Sequence, residues 1–266
     1  MTDECIHGFP TELCDICSPR QRAEPLVPVK PAPRRTKTSL RSVPTTTSGR
    51  SRGAAQEPPA RVFTTLRAHH WTHLDNLASI VADGAIRSSV EATPDIDVSA
   101  PETRARRAEA TAPDGSPVAA HVPFTLSADA RSWDDVRAGA AGSRWSDAAR
   151  RTRGSDYVML VVPVTAFGES VIVADREADD PAARFAAGPD AATKLLRRTD
   201  LTDPEMLELE LLAGPEVPLS SVAVVGVPND RTRDAVRDIL SDAGEKSTRV
   251  AIFPPWFHAA ASDTEE

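Results

Sequence analysis

Residues 19–61 show no apolar period, so any hydrophobic core built by this chain must be assembled from Val62 onward. The stretch is rich in Pro, Arg, Thr and Ser and carries ten Lys/Arg against Glu24 and Glu57, the composition of an extended, solvated linker. The chain as a whole is acidic, with a net charge of -8 over 266 residues, so the basic linker and the acidic remainder are different objects. Basic tracts attract polyanions without specificity; the linker therefore suits contact with nucleic acid and equally a plain spacer. The remainder is long enough for one full core but not for two large domains. The expected organisation is a knuckle at 1–18, the linker at 19–61, one domain at 62–258 and an acidic tail at 259–266.

All three cysteines fall in the first seventeen residues, as Cys5-x-His7 and Cys14-x-x-Cys17 with six residues between His7 and Cys14. Three thiolates and one imidazole form the ligand set of a closed structural zinc site, and Gly8 and Pro10 let the chain reverse between the two pairs. A redox Cys-x-x-Cys needs a β-α-β context that is missing here, and three unrelated thiols are the other alternative. A zinc module of this kind folds only with its metal. No run of eighteen apolar residues and no basic-then-apolar leader is visible, so the expectation is a cytoplasmic protein with no membrane partner.

From Val62 strand and helix signals alternate irregularly, which predicts an α+β fold of short strands with flanking helices rather than a doubly wound sheet. Tyr157–Val164 is a nearly continuous apolar, β-branched run that suits a buried strand. Further strands are expected at 62–67, 122–126, 171–174, 206–212, 222–227 and 249–253. Helices are expected at 75–83, stopped by Gly84; at 101–111, opened by Pro101; at 181–187, after Asp179-Asp180-Pro181; and at 231–242, capped by Asn229 or Asp230. No Gly-x-Gly-x-x-Gly opens a helix after a strand, which argues against a Rossmann site and a P-loop.

Two segments carry chemistry. His69-His70-Trp71-Thr72-His73 lies just ahead of a short helix, whose N-terminus is suited to a phosphate or carbonyl oxygen. Far downstream, Met206–Leu212 alternates acid with leucine; as a strand it would bury Leu207, Leu209 and Leu211 and project Glu208 and Glu210 from the other face. The same alternation also describes an ordinary solvated strand face. Trp133 and Trp145, among Arg131, Arg137 and Arg144, read as core aromatics with base stacking as the alternative.

These segments resemble the DarT-type DNA ADP-ribosyltransferases of bacterial toxin–antitoxin systems. Members of that family carry a Tyr-His-Ile-Thr-His-Ile-Asp-Asn-Leu segment, which the present chain matches closely from His70 to Leu77. His121-Val122-Pro123-Phe124, Asp175-Arg176 with Arg184-Phe185, and Glu208-x-Glu210 ahead of Pro218 extend the resemblance through most of 62–256. The resemblance implies cleavage of NAD at the nicotinamide–ribose bond and transfer of ADP-ribose to a base in single-stranded DNA. It also implies an antitoxin partner with ADP-ribosyl hydrolase activity. By the motif match, His70 and Thr72 contact NAD, Asn76 supports the loop, and Glu210 is the catalytic carboxylate, with Glu208 beside it; Arg176 and Arg184 are candidate phosphate contacts. A carboxylate beside the ribose stabilises the positive charge left as nicotinamide departs, and the same group is a candidate acceptor for the attacking nitrogen's proton. Were Glu208 on the same face, like-charge repulsion would raise one carboxyl pKa.

The family also places an essential arginine after the first helix. That position falls at Asp95–Val98, where no arginine stands, and Arg87, Arg104, Arg106 and Arg107 are the nearby candidates. Two rival readings follow: a zinc-anchored nucleic-acid- or protein-binding module on a decayed transferase core, and an active transferase whose acceptor is RNA or a protein.

Overall fold

The computed structural model describes residues 62–197, 207–245 and 247–259. The Cys/His segment with the expected zinc ligands Cys5, His7, Cys14 and Cys17, the linker and all but the first residue of the acidic tail lie outside the described residues. Among the described residues no helix is long and apolar enough to cross a membrane.

The strand with every residue but its last fully buried, β4 (Tyr157–Pro163), has the apolar run that demands it, and the sheet grows outward from there. On one side it pairs antiparallel with β1 (Arg67–His73) over seven residues, from Arg67 opposite Pro163 to His73 opposite Tyr157. On the other it meets β9 (Val224–Val227), which pairs in parallel with the edge strand β10 (Val250–Ile252). Beyond β1 come β3 (Pro123–Thr125), β7 (Glu210–Leu212), β5 (Ile172–Ala174) and β6 (Phe185–Ala187), giving eight strands in the order β10-β9-β4-β1-β3-β7-β5-β6. A separate two-stranded ribbon joins β2 (Ala85–Arg87) to β8 (Glu216–Pro218). Helices α1 (Leu77–Asp83), α2 (Pro101–Glu109), α3 (Arg131–Arg137), α4 (Asp147–Arg150), α5 (Pro189–Leu196) and α6 (Asp230–Asp242) complete an α+β fold, as the irregular alternation predicts.

Local signals explain several boundaries. Gly84 stops α1 at φ 68°, a left-handed conformation that a side chain would strain. Asn229 accepts from the Thr232 amide and so caps α6, and Pro101 takes the first turn of α2, where its missing N–H is harmless. Gly226 on β9 has no room for a Cβ, which would lie 2.6 Å from the Trp256 ring.

Three expectations change. The strand at the start of the domain is not 62–67: Phe63–Thr65 form a 3-10 turn, and the strand begins at Arg67 and carries the histidine cluster itself. Pairing with β4 along the whole of β1 outweighs the polar composition of that segment. Residues 181–187 are not a helix: Asp180 caps a turn through the Ala182 amide, and 185–187 are recruited to the sheet by β5. The helix begins after Gly188, with Pro189 rather than Pro181 in its first turn. The glutamate strand is shorter than 206–212, since Leu207 and Glu208 lie in a 3-10 turn and only Glu210–Leu212 pair. Because β7 lies between β3 and β5, Glu210 is buried rather than projecting into solvent.

Candidate active site

Sheet register assembles the site. His69 lies opposite Thr125, Thr125 opposite Glu210, and Glu210 opposite Ala174, so His69, Thr125 and Glu210 share one face in a single row across the strands. Strands β1 and β3 share only that one register pair and part beyond it. His70, on the opposite face, bridges the parting by donating from Nδ1 to the Pro123 carbonyl at 2.9 Å, which leaves Nε2 as an acceptor. A cleft of about 370 Å³ opens here, walled by His69–Trp71, Pro123–Thr125, Val98–Ser99 and Leu207–Glu210. Burial holds His70 below its ordinary pKa, and burial likewise lowers His69 to about 4, so both rings are neutral near pH 7.

Glu210 is the most constrained group in the cleft. Arg107 donates to it twice, Nη2 to Oε1 at 2.7 Å and Nη1 to Oε2 at 3.3 Å, and the Ala178 amide donates to Oε2 at 2.8 Å. The guanidinium comes from α2, where the inward positions are Thr103 and Arg107, an i, i+4 pair. Burial opposes the Arg107 charge, but Glu210, with Asp179 and Glu177, holds its pKa above the ordinary value. Of the four candidate arginines, Arg107 is therefore the one brought to the carboxylate. Arg87 pairs with Asp83 and Glu216 outside the cleft, Arg104 pairs with Asp97, and Arg106 pairs with Asp179.

The remaining predicted residues divide between wall and scaffold. Glu208 lines the cleft and accepts from Arg131 at 2.9 Å, so the two glutamates are held by separate arginines rather than set against each other. Arg176 lines the cleft beside Asp175, at 3.3 Å. Arg184 is exposed and off the cleft wall; its backbone, not its side chain, bonds to Asp175. Thr72 and Asn76 stand behind the wall. Asn76 donates to Thr72 Oγ1 at 3.2 Å and to the Ile96 carbonyl at 2.9 Å, and its Oδ1 accepts from the Ile96 amide at 2.8 Å. It thereby pins the loop that delivers Val98 and Ser99 to the cleft. Between the histidine run and α1 stands a 3-10 turn, Leu74–Asn76, which His73 caps by accepting from the Asp75 amide at Nδ1. Trp133 and Trp145 are core, 0% and 4% exposed, although an edge of Trp145 reaches the cleft wall.

Reasoning from sequence did not mark Glu177, and it named His69 only as part of the histidine run and Arg131 and Arg144 only as neighbours of Trp133 and Trp145; all four stand on the wall. Arg144 pairs with Glu177 and lies 4.6 Å over the Trp145 ring. Four arginines line the cleft, and each is matched to a carboxylate.

Comparison with known proteins agrees with this fold. Thermus sp. 2.9 DarT in complex with ADP-ribosylated single-stranded DNA superposes with a TM-score of 0.62 at 20% identity, over 73% of this chain and 97% of that one. The same protein in complex with NAD+ gives 0.58 at 21%, over 73% and 98%. Thermosipho africanus DarTG in complex with ADP-ribose gives 0.54 at 12%, over 72% of this chain and 51% of that longer one. These likenesses establish the fold as that of the DarT ADP-ribosyltransferases. None of the curated proteins matches the chain. The family model described as the single-stranded-DNA thymidine ADP-ribosyltransferase DarT matches residues 69–258, a span that holds every cleft residue described above, and the chain belongs to that family.

Proposed function

We propose that the cleft at the parting of β1 and β3 is where NAD is cleaved, and that Glu210 and Arg107 act there as one unit to transfer ADP-ribose to thymine in single-stranded DNA. The observation that carries this reading is the doubly hydrogen-bonded Arg107–Glu210 pair on the floor of a cleft walled by the family's histidine motif. As the nicotinamide–ribose bond breaks, positive charge develops on the sugar, and a carboxylate fixed beforehand stabilises it without reorganising. Arg107 and the Ala178 amide provide that fixation from two sides. His70 Nε2 is the free acceptor for a donor on the nicotinamide or its ribose, since Nδ1 is committed to Pro123. Arg176 is the phosphate contact supported by position, whereas Arg184 sits off the wall. Thr72 and Asn76 act through the loop they brace.

The test is release of nicotinamide from NAD by the purified chain with a thymine-containing single strand, its duplex, a thymine-free strand, RNA of the same order, or no nucleic acid. Release stimulated by the thymine-containing single strand alone supports the reading. Equal release with RNA, or none with any strand, favours the rival acceptors or a binding module.

Three further proposals rest on sequence and resemblance. Cys5, His7, Cys14 and Cys17 supply the donor set of a structural zinc site, supported by their spacing; metal analysis of the full chain against Cys14→Ser tests it. The division at 18, 61 and 258 follows from composition. A toxin with an ADP-ribosyl hydrolase antitoxin follows from the family, a cytoplasmic location is the expectation from sequence alone, and relief of growth arrest on co-expression with such a hydrolase tests the toxin–antitoxin pairing.

A further inference from the structure

Resting on the reading above, we propose that Phe253 and Trp256 form a stacking shelf for a base that neighbours the acceptor thymine in the single strand, with Arg67 meeting its phosphate. Among the described residues only three large apolar side chains are exposed, and Phe253 is one of them. It does not stand alone. Its ring centroid lies 4.7 Å from that of half-buried Trp256, and Trp256 in turn lies 5.8 Å from His69, edge-on at 78°. His69 is on the cleft wall, so the rings run without a break from the cleft to the end of the edge strand β10.

The fold holds these rings in place. Gly226 stands opposite Met159 and Met159 opposite Trp71, so the Trp256 ring, which lies against Gly226, is on the same sheet face as His69. The Phe253 amide donates to the Val227 carbonyl at 2.9 Å, and the Trp256 carbonyl accepts from Trp133 Nε1 at 2.6 Å and from Arg137 Nη1 at 3.2 Å. Between them Pro254 and Pro255 fix two φ angles of the 3-10 turn. The turn is thus tied at both ends and stiff in the middle, and a base that stacks there has little protein left to order.

Aromatic rings kept in water beside a cation suit single-stranded nucleic acid, because every base has a face to stack and the backbone follows positive charge. Arg67 is exposed, stands two residues before His69 on the same face of β1, and lies near enough for its charge to act on the His69 ring. Asp129, the acid whose charge also reaches that ring, is held by Arg137. The rings begin at the cleft wall, so the strand that delivers thymine to the cleft has the shelf directly beside its path. Stacking on a ring face reads no base identity; the shelf therefore adds affinity for any flanking base and leaves the choice of acceptor to the cleft.

The experiment compares the full chain with Phe253→Ser and Phe253→Tyr on two single-thymine oligonucleotides, one with all its flanking bases and one with abasic sites on both sides of the thymine. Transfer gives kcat and KM, and anisotropy of the dye-labelled strands gives Kd independently of transfer. Stacking contributes about 1–3 kcal/mol per base, so Phe253→Ser should raise KM and Kd for the complete strand about 5–150-fold, with kcat, NAD affinity and thermal midpoint unchanged. Phe253→Tyr keeps a ring and should retain wild-type affinity, and on the abasic strand the three proteins should bind alike. Arg67→Gln should lower the slope of log Kd against log salt by about 0.7. Wild-type affinity in Phe253→Ser would overturn the proposal, as would an equal loss on the abasic strand, a tyrosine variant as weak as serine, or an unchanged salt slope in Arg67→Gln. Binding that depends on Phe253 in a chain that leaves thymine unmodified would support the shelf and overturn the functional reading; thymine transfer indifferent to Phe253 would do the reverse.

Discussion

Replacing Arg107 with alanine should destabilise the fold in a pH-dependent way, because it strands Glu210. The two side chains are 15% and 11% exposed, so water screens neither well. Removing one partner of a buried pair costs roughly 3–5 kcal/mol, mostly the penalty of the charge left behind. The variant can escape by protonating Glu210, at about 1.4 kcal/mol for each pH unit above the reference glutamate value of about 4.3. That route caps the charge penalty at about 4 kcal/mol at pH 7 and about 1 kcal/mol at pH 5. The stability contributed by a carboxyl that is protonated in the fold is complete below about pH 4.3 and lost as pH rises, so the gap between wild type and variant must widen with pH. Urea unfolding, followed by fluorescence of the buried Trp133 and Trp145, measures the gap at both pH values. Glu210→Ala should cost less, since Arg107 retains Asp179 at 3.8 Å, and the double variant should cost clearly less than the two single losses combined. Additive losses, or a gap that is equal at pH 5 and pH 7, would refute the buried-pair account.

Other perturbations probe the scaffold. Burial depresses His69 and His70, so their contribution to stability is present above the unfolded value of about 6.5 and is lost as pH falls toward the folded values, about 4 for His69. Urea midpoints should therefore drop less on acidification in His69→Gln than in wild type, and parallel curves would contradict this. Asn76→Ala removes three hydrogen bonds and leaves the Ile96 amide unpaired; the expected loss is about 1–3 kcal/mol together with weaker NAD binding, measured by denaturation and calorimetry. Gly226→Ala forces a Cβ into the Trp256 ring and should cost about 1–3 kcal/mol by overpacking; a thermal midpoint equal to wild type would show that the ring yields freely.

Some of this was legible in the residues and some was not. Tyr157–Pro163, α2 behind Pro101, α6 behind Asn229 and the stop at Gly84 each combine a strong local signal with a tertiary role that agrees with it. β1 was hidden because its polar histidine run is stabilised by seven pairings to a strand more than eighty residues later, a non-local fact. The turn at Asp179–Pro181 imitates a helix start, but the sheet claims the residues that follow. At the site, His70 and Glu210 were visible through motif and alternation. Arg107 was one of four arginines with no local mark of its role, and its partner is 103 residues away. Helix phase could have singled it out, because Thr103 and Arg107 are the positions of α2 that turn inward. Glu177 stands among several acids between Glu169 and Asp190, and only the bond from the next amide to Glu210 distinguishes it.

The most direct measurement is the intact mass of a single-stranded oligonucleotide carrying one thymine after incubation with NAD and the purified chain, beside Glu210→Gln. A mass gain of one ADP-ribose, mapped by fragmentation to the thymine and missing with Glu210→Gln, is what the account predicts. An adduct that forms equally with Glu210→Gln, or that maps to a base other than thymine, would contradict it.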